Sequence, residues 1–366
     1  MIQPTNKKLL RVVRAGTALA LLVCLSCKEV PKIREQVTKP KPVPTEPSKI
    51  DVDIKPGGPV IFTTPTAIFE IQPSGYTKAS LRKGSELLTL DDPMVGAPAG
   101  SDFAIVNGKE VHFSPEFDQA RELEAIGKLG SGKRVEMPSH LLGHPEALLE
   151  RRIAIEAYDK FPNVAIATVE YRNAGNADVK IERIVVQRHR FTSKVGKEPA
   201  QQSGGLEMYS GVGQRELRQG VITLPAKYSS SGDAGADAVP VVAFWNRLAG
   251  EGLADLDLQQ KSLAIPVRAE PDARVATEVR LPGAVVKPGE TLTSQRTLLI
   301  VFEGDYHAPL EMWSEILQAE GIALPEAAQR ELIKHGIGSP HAATELKAPA
   351  KAKSKSHSAS SPSKKH

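Results

Sequence analysis

The sequence has few cysteines and few aromatic residues. Cys24 and Cys27 are its two cysteines, and both lie near the start of the 366 residues. A domain formed after them has no disulfide, so a hydrophobic core must stabilise it, and a chain of this size can bury one. Phe, Trp and Tyr together make up 5% of the residues, which leans against a surface dedicated to stacking on sugars.

The sequence also lacks the familiar spacings of catalytic, phosphate and metal sites. It contains no G-x-S-x-G motif and no P-loop. His140 and His144 lie four residues apart, but Gly143 and Pro145 disfavour the helix that would bring them together. We therefore expect no metal and no cofactor, and the sequence assigns no catalytic residue.

Positive charge is concentrated at the two ends of the chain. Residues 1–27 carry four basic residues and no acidic one, residues 28–49 carry a net +3, and residues 347–366 carry six lysines. The whole chain is +4, so residues 50–346 carry −9. A nucleic-acid-binding fold needs a basic patch of its own, so we expect no specific nucleic-acid partner.

The N-terminal segment is typical of a bacterial lipoprotein signal. An apolar run, AGTALALLVCLSC, follows the basic start and ends at Cys27, and it is too short to span a bilayer. We predict a signal over residues 1–27, lipidation of Cys27 and export to an envelope membrane. A cleaved signal and a periplasmic or secreted product is the alternative. Residues 28–49, rich in Pro and Lys, read as a tether, and residues 335–366 as a disordered tail.

The region between these segments is predicted to be mostly β-strand. Short runs of β-branched and aromatic residues alternate with Gly, Pro, Asn and Asp, and the chain has 29 Gly and 28 Pro. The predicted strands are Val60–Thr64, Ala67–Ile71, Phe103–Val106, Arg152–Ala157, Ala165–Tyr171, Lys180–Gln187, Gly220–Leu224, Val239–Trp245, Ser262–Val267, Val275–Arg280 and Leu292–Phe302. Asn107-Gly108 and Asn173–Asp178 are predicted to close hairpins.

One helical segment follows the last strand. Between Asp305 and Gly321, the residues Leu310, Trp313, Ile316 and Leu317 share one face. We predict Asp305 as N-cap, Gly321 as helix stop and Trp313 as a core anchor. A second helix is predicted from Pro325 to Lys334. The predicted fold is all-β: a large antiparallel β-sandwich over residues 50–304, a helical linker over residues 305–334 and disordered tails.

Three segments carry a resemblance to a known family. Residues 150–185 contain a Tyr-Asp strand end, Phe161-Pro162 and an Asn-x-Gly turn. Residues 239–267 contain an apolar strand ending in Trp245, and residues 286–321 contain Pro-Gly-Glu and Gly-Asp-Tyr. In this order and spacing they resemble the N-terminal β-supersandwich of bacterial α-galactosidases (melibiases) of glycoside hydrolase family 36.

The resemblance implies a domain that adjoins a catalytic (β/α)₈ barrel. The family's catalytic aspartates lie at the ends of barrel strands, and such a barrel takes about 250 residues. Only 45 residues follow Gly321, so no catalytic residue can be carried over. Three hypotheses remain: a membrane-tethered carbohydrate-associated sandwich that binds a glycan or a partner glycosidase, a truncated or frameshifted α-galactosidase without activity, and a structural envelope lipoprotein with no sugar function.

Candidate sugar contacts follow from the same resemblance. Trp245, Asn246 and Arg247 match a strand end near the family's domain interface, where a ring and polar donors could bind a sugar. The alternative is that Trp245 closes the sandwich core and Arg247 is a surface charge. Arg188 and Arg190 should share one strand face, with His189 on the other. Neither the sugar nor the oligomeric state follows from the sequence.

Overall fold

The structure is a computed structural model, and it describes most of the chain after residue 46. The described ranges are 47–92, 102–143, 148–193, 205–213, 222–224, 227–235, 238–258, 263–270, 274–324 and 326–337. The predicted signal with Cys27, nearly all of the predicted tether and the predicted tail from residue 338 lie outside the described residues. Those predictions stay predictions.

The first sheet is an antiparallel meander formed by the first five described strands. Its strands are β1 (Asp51–Ile54), β2 (Val60–Thr63), β3 (Ala67–Ile71), β4 (Thr77–Lys83) and β5 (Glu86–Leu88). Buried and half-buried positions alternate along β2 and β3, as expected for strands with one face on a core. Phe62 and Phe69 pair directly across them, and both are fully buried.

The second sheet is also antiparallel, and its outward face carries the cleft described in the next subsection. Its strands, in spatial order, are β7 (Lys109–Pro115), β6 (Phe103–Val106), β12 (Val179–Thr192), β19 (Arg274–Pro282), β18 (Val267–Glu270) and β15 (Ser229–Ser230). A short strand, β20 (Val285–Val286), pairs with the start of β12. β19 alternates buried and half-buried residues along its whole length, so one face meets the core and the other faces outward.

The third sheet is the longest of the described sheets. Its strands, in spatial order, are β8 (Arg121–Gly127), β9 (Gly130–Leu141), β10 (Leu149–Tyr158), β11 (Phe161–Asn173), β22 (Thr297–Phe302), β17 (Gly250–Asp255), β16 (Val241–Trp245), β13 (Glu207–Ser210) and β14 (Ile222–Thr223). β21 (Thr291–Thr293) pairs with the end of β11, and β7 also pairs with β9, which links the second and third sheets.

Two apolar clusters stabilise the fold. The first joins buried side chains from all three sheets, including Phe69, Ile155, Val186 and Phe244. The second lies on the other face of the third sheet, where two helices cover β16, β17 and β22. Because both faces of these strands are covered, every residue in them is buried, including Glu251 and Asp255 of β17. The sequences of β16 and β22 are accordingly almost entirely apolar.

The covering helices are α1 (His307–Glu320) and α2 (Glu326–Lys334). The predicted buried face of α1 is confirmed, and Trp313 is a fully buried core anchor. Gly321 ends the helix with φ +73°, as predicted. The N-cap prediction was wrong by one residue: Tyr306 is the cap, and Asp305 accepts the His307 N–H at 3.0 Å. Neither of these helices combines the length and apolar character needed to cross a bilayer.

The predicted all-β fold is confirmed, with differences in detail. Ala67–Ile71 and Phe103–Val106 have the predicted bounds. The predicted strand Leu292–Phe302 is interrupted at Ser294, whose hydroxyl accepts the Val169 N–H at 2.9 Å and so replaces a regular pairing. In place of Ser262–Val267, the strand begins at Val267.

The hairpin predicted at Asn173–Asp178 was wrong. β11 and β12, on either side of this turn, belong to different sheets. Asn173 is fully buried and donates to the carbonyls of Ala177 and Val286, both at 2.8 Å. These bonds fix the chain where it crosses between sheets. The actual hairpin is β10–β11, and the predicted turn Asn107-Gly108 does join β6 to β7.

Candidate functional site

A polar cleft of about 640 Å³ opens on the outward face of the second sheet. Its lining comes mainly from β12, β18 and β19, with contributions from β15, β6 and β7. Strand alternation sends every second side chain of these strands outward, so charged residues far apart in sequence share one surface. The charged residues in the lining are Glu110, Arg188, Arg190, Arg268, Glu270, Glu278 and Arg280.

Two glutamates in this cleft each bridge a pair of arginines. Glu278 accepts from Arg188 Nε at 3.2 Å and from Arg280 Nε at 2.7 Å. The result is a lattice of alternating donors and acceptors that holds the arginine heads in place.

Glu270 repeats this arrangement with Arg190 Nε at 2.7 Å and Arg268 Nη2 at 2.8 Å. Partial burial opposes ionisation of Glu270, but hydrogen bonds from Arg190 and Arg268 outweigh it and lower its pKa. Glu270 is therefore an anion at neutral pH.

A small residue lies between the arginines of the lattice. Ala276 on β19 pairs in register with Arg190 on one side and with Arg268 on the other. Its side chain is a single methyl group that also lines the cleft, and Ser229 and Ser230 add hydroxyls to the lining. Guanidinium, carboxylate and hydroxyl groups in one cleft can donate to and accept from a ligand rich in hydroxyls.

The aromatic residues of the cleft are largely covered. Arg188 lies over the Phe103 ring at 4.9 Å from its centroid, and Phe103 is 8% exposed. Tyr76 is 3% exposed. The cleft therefore offers polar contacts rather than an open aromatic platform.

A buried polar cluster lies under the cleft, and His189 and Tyr76 belong to both. Asp91 Oδ1 accepts the Tyr76 hydroxyl proton and lies 3.2 Å from His189 Nδ1. Asp91 Oδ2 accepts the Ala79 N–H at 2.7 Å. Burial, followed by the charge of Asp91, raises the pKa of Tyr76 well above its usual value, so the phenol stays a donor.

Glu251 completes this cluster from β17. Its Oε1 accepts the Leu90 N–H at 2.5 Å and the Thr89 hydroxyl at 3.3 Å, whereas its buried Oε2 has no hydrogen-bond partner. Burial and the neighbouring Asp91 raise the pKa of Glu251 well above its usual value. Asp91, His189 and Glu251 bring one ligand atom each to within 4.8 Å of one another, so these three side chains could hold a metal ion.

The site residues predicted from the sequence lie elsewhere, at the β16–β17 turn. Trp245 is 4% exposed, and its ring lies 5.9 Å from that of Tyr306 between centroids. Asn246 Oδ1 accepts the N–H groups of Leu248 and Ala249 and so shapes the turn. Arg247 is exposed. The covered indole agrees with the alternative of a core tryptophan, and the sugar contacts of these three residues stay a prediction.

Sequence reasoning found part of the cleft and missed the rest. Arg188 and Arg190 do share one half-exposed face while His189 is buried, as predicted. The residues missed are those of β18 and β19. The sequence predicted a strand over Val275–Arg280, and in the structure Glu278 and Arg280 share its half-buried face. The sequence could not show which strands would lie beside them.

No protein-family profile and no curated protein matches the chain. Solved structures do match. The galactosidase domain of an alpha-galactosidase-sucrose kinase has 10% identity and a TM-score of 0.48, covering 72% of this chain and 43% of its own. A GH36 alpha-galactosidase of Geobacillus stearothermophilus has 12% identity and a TM-score of 0.48, covering 72% and 42%.

A putative aldose 1-epimerase from Klebsiella pneumoniae has 10% identity and a TM-score of 0.44, covering 74% of this chain and 88% of its own. The chain thus spans less than half the length of the galactosidase structures that it matches. At these identities and TM-scores the matches assign neither a family nor an activity to this chain.

Proposed function

We propose that this protein is a carbohydrate-associated β-sandwich that binds a glycan in the cleft over β12, β18 and β19. The observation that carries the proposal is the lattice of four arginines and two glutamates around Ala276. Sugar hydroxyls donate and accept, and so do the groups of this lattice. A guanidinium has five N–H groups, which is more than a single ion pair uses.

The arrangement also favours a neutral glycan over a strongly anionic one. Glu270 and Glu278 each already balance two arginines, and Glu110 adds a third carboxylate to the lining. An anionic ligand would have to compete with these carboxylates for the same guanidinium groups. A neutral oligosaccharide needs no such exchange, since it hydrogen-bonds to the arginine and glutamate heads together.

The test is a titration of the full chain with neutral oligosaccharides, followed by isothermal calorimetry. The panel includes α-galactosides, because three sequence segments resemble a family that acts on them. We expect Arg190→Ala and Arg268→Ala to weaken binding at least tenfold, since each removes a donor beside Ala276. Both residues bind Glu270, so the double variant should lose little more than either single variant.

Arg330→Ala is the matched control. Arg330 is also an exposed, ion-paired arginine, bound to Glu326 at 2.7 Å on α2, away from the cleft lining. It should leave glycan affinity unchanged. Arg247→Ala tests the site predicted from the sequence. Loss of binding in that variant alone would show that the glycan binds at the β16–β17 turn and not in the cleft. Absence of binding across the panel would contradict the proposal.

The proposal includes a membrane anchor at Cys27. A domain tethered by a Pro- and Lys-rich segment would hold its cleft away from the bilayer surface. Metabolic labelling with a fatty acid should mark the wild type and not Cys27→Ser, and the variant should move from the membrane to the soluble fraction. Equal labelling of both proteins, or no labelling of the wild type, would contradict lipidation at this residue.

A further inference from the structure

We propose that Asp91, His189 and Glu251 form a binding site for one divalent transition-metal ion of the zinc type, beneath the cleft. The three residues come from different parts of the chain and are 3%, 4% and 1% exposed. One histidine nitrogen and two carboxylates form a ligand set that suits zinc. The proposal is independent of glycan binding.

The distances within the cluster fit such an ion. His189 Nδ1 and Asp91 Oδ1 lie 3.2 Å apart. Two ligand atoms at about 2.0–2.1 Å from a tetrahedral ion are separated by about 3.3 Å. The ligand atom of Glu251 lies within 4.8 Å of both, so a rotation of one unbranched side chain brings it to the ion.

Hydrogen bonds from neighbouring groups orient the three side chains. Gln187 Oε1 lies 3.2 Å from His189 Nε2, so it can accept that N–H and leave Nδ1 as the free nitrogen. Tyr76 and the Ala79 N–H donate to Asp91, and the Leu90 N–H and Thr89 donate to Glu251. Metal ligands in proteins are usually fixed by such outer hydrogen bonds.

With Nε2 protonated towards Gln187, His189 Nδ1 and Asp91 Oδ1 face each other as two acceptors. That contact needs a cation between or near them, either a proton or a metal ion. Glu251 Oε2, buried without a partner, supplies the remaining acceptor. A charge buried in the core is costly unless it is paired or coordinates a metal.

The backbone explains how these residues meet. Residues Leu90–Asp92 run beside the end of β12, through the bonds Thr192 N–H to Leu90 O and Asp92 N–H to Arg190 O. That places Asp91 next to His189. His189 and Tyr76 also line the cleft, so the cluster lies directly beneath it.

The test is Zn²⁺ binding to the full chain after treatment with a chelator, measured by calorimetry and by metal analysis after gel filtration. We expect one tight equivalent per chain. Glu251→Gln and His189→Gln keep the side-chain size and should weaken that equivalent at least 100-fold. Co²⁺ in place of Zn²⁺ should give visible absorption of a mixed nitrogen and oxygen site in the wild type and not in these variants.

Asp255→Asn is the matched control. Asp255 is a buried carboxylate on the same strand, outside the cluster of ligand atoms. This variant should bind Zn²⁺ as the wild type does. Equal uptake by wild type, Glu251→Gln and His189→Gln would overturn the proposal, because the metal would then sit on other histidines. Absence of tight uptake by the wild type would overturn it too, leaving a proton shared within the cluster.

Discussion

Glu251 and Asp255 lie at the two ends of β17, four residues apart, and both are buried. Each carboxylate has one oxygen that accepts hydrogen bonds and one that has no partner. Burial is the largest cause of a raised pKa in both. The two ends differ in the groups that surround them.

At the Asp255 end, the neighbours are an ion pair and a helix. Asp257 binds Arg296 at 2.7 Å, and Trp313 Nε1 donates to the Asp255 carbonyl at 2.8 Å. At the Glu251 end, the neighbours are Asp91 and His189. Similar burial at the two positions therefore has different consequences: the groups within a few ångströms make Asp255 a structural acid and Glu251 a potential metal ligand.

The most severe way to break the Asp255 end is to remove its helix anchor. Trp313→Ala deletes a fully buried indole and its hydrogen bond to Asp255. We expect the free energy of unfolding to fall by about 3–5 kcal/mol, measured by urea denaturation. Glu315→Ala, at an exposed position of the same helix, is the control and should change it by under about 0.5 kcal/mol. Similar losses in both variants would show that the anchor is not Trp313.

The next prediction concerns how the free energy of unfolding depends on pH through Asp255. Burial, followed by the charge of Asp257, raises the pKa of Asp255 to about 7 from an ordinary 3.8. The folded state therefore holds this proton more tightly than the unfolded state. Its contribution is fully present below about pH 4 and is lost as pH rises to about 7, on the order of 4 kcal/mol in all.

Asp255→Asn should remove most of that slope, because the amide does not titrate. The measurement is urea denaturation at several values from pH 4 to pH 8, with wild type and variant compared at each. Asp257→Asn removes the neighbouring negative charge, which lowers the pKa of Asp255 and should shift the fall in stability to lower pH. An unchanged slope in Asp255→Asn would contradict the assignment.

A neutral buried side chain provides the next contrast with the two acids. Asn173 is fully buried like Asp255, but both ends of its amide are used: Nδ2 donates to two carbonyls, and Oδ1 accepts the Gly175 N–H at 2.9 Å. Asn173→Ala leaves these partners unsatisfied and should cost about 2–3 kcal/mol. The cost should not vary between pH 5 and pH 8, and a pH-dependent loss would contradict this account.

The smallest effect on stability is expected at the cleft. The Arg190 side chain is 41% exposed and pairs with Glu270, and such pairs contribute less than about 1 kcal/mol. Arg190→Ala should therefore fold with nearly wild-type stability in thermal denaturation, with high salt reducing the difference further. A loss of several kcal/mol would show that the lattice stabilises the sheet rather than shaping a binding surface.

Local patterns predicted local structure well. The bounds of Ala67–Ile71, the apolar face of α1 and the stop at Gly321 all follow from periodicity and glycine geometry within a few residues. The hairpin predicted at Asn173–Asp178 was wrong for a related reason. The turn motif correctly indicated that two strands are connected there, but a connection does not require the two strands to pair.

The candidate site shows the same limit. Alternation along β12 placed Arg188 and Arg190 on one face, yet nothing in that strand named β19 and β18 as its neighbours. Likewise, no spacing rule connects Asp91, His189 and Glu251, since the spacing rules for metal ligands cover residues close in sequence. The sequence shows which types of residue are present, but not which of them lie next to one another in the fold.

By itself, the sequence determined an all-β chain with a buried C-terminal helix, because strand and helix periodicity are properties of neighbouring residues. Tertiary structure alone decided which strands lie side by side and which buried acids have neighbours of the same sign. Strand pairing and desolvation depend on groups far apart in the chain. The charged cleft and the cluster of Asp91, His189 and Glu251 therefore exist only in the folded protein.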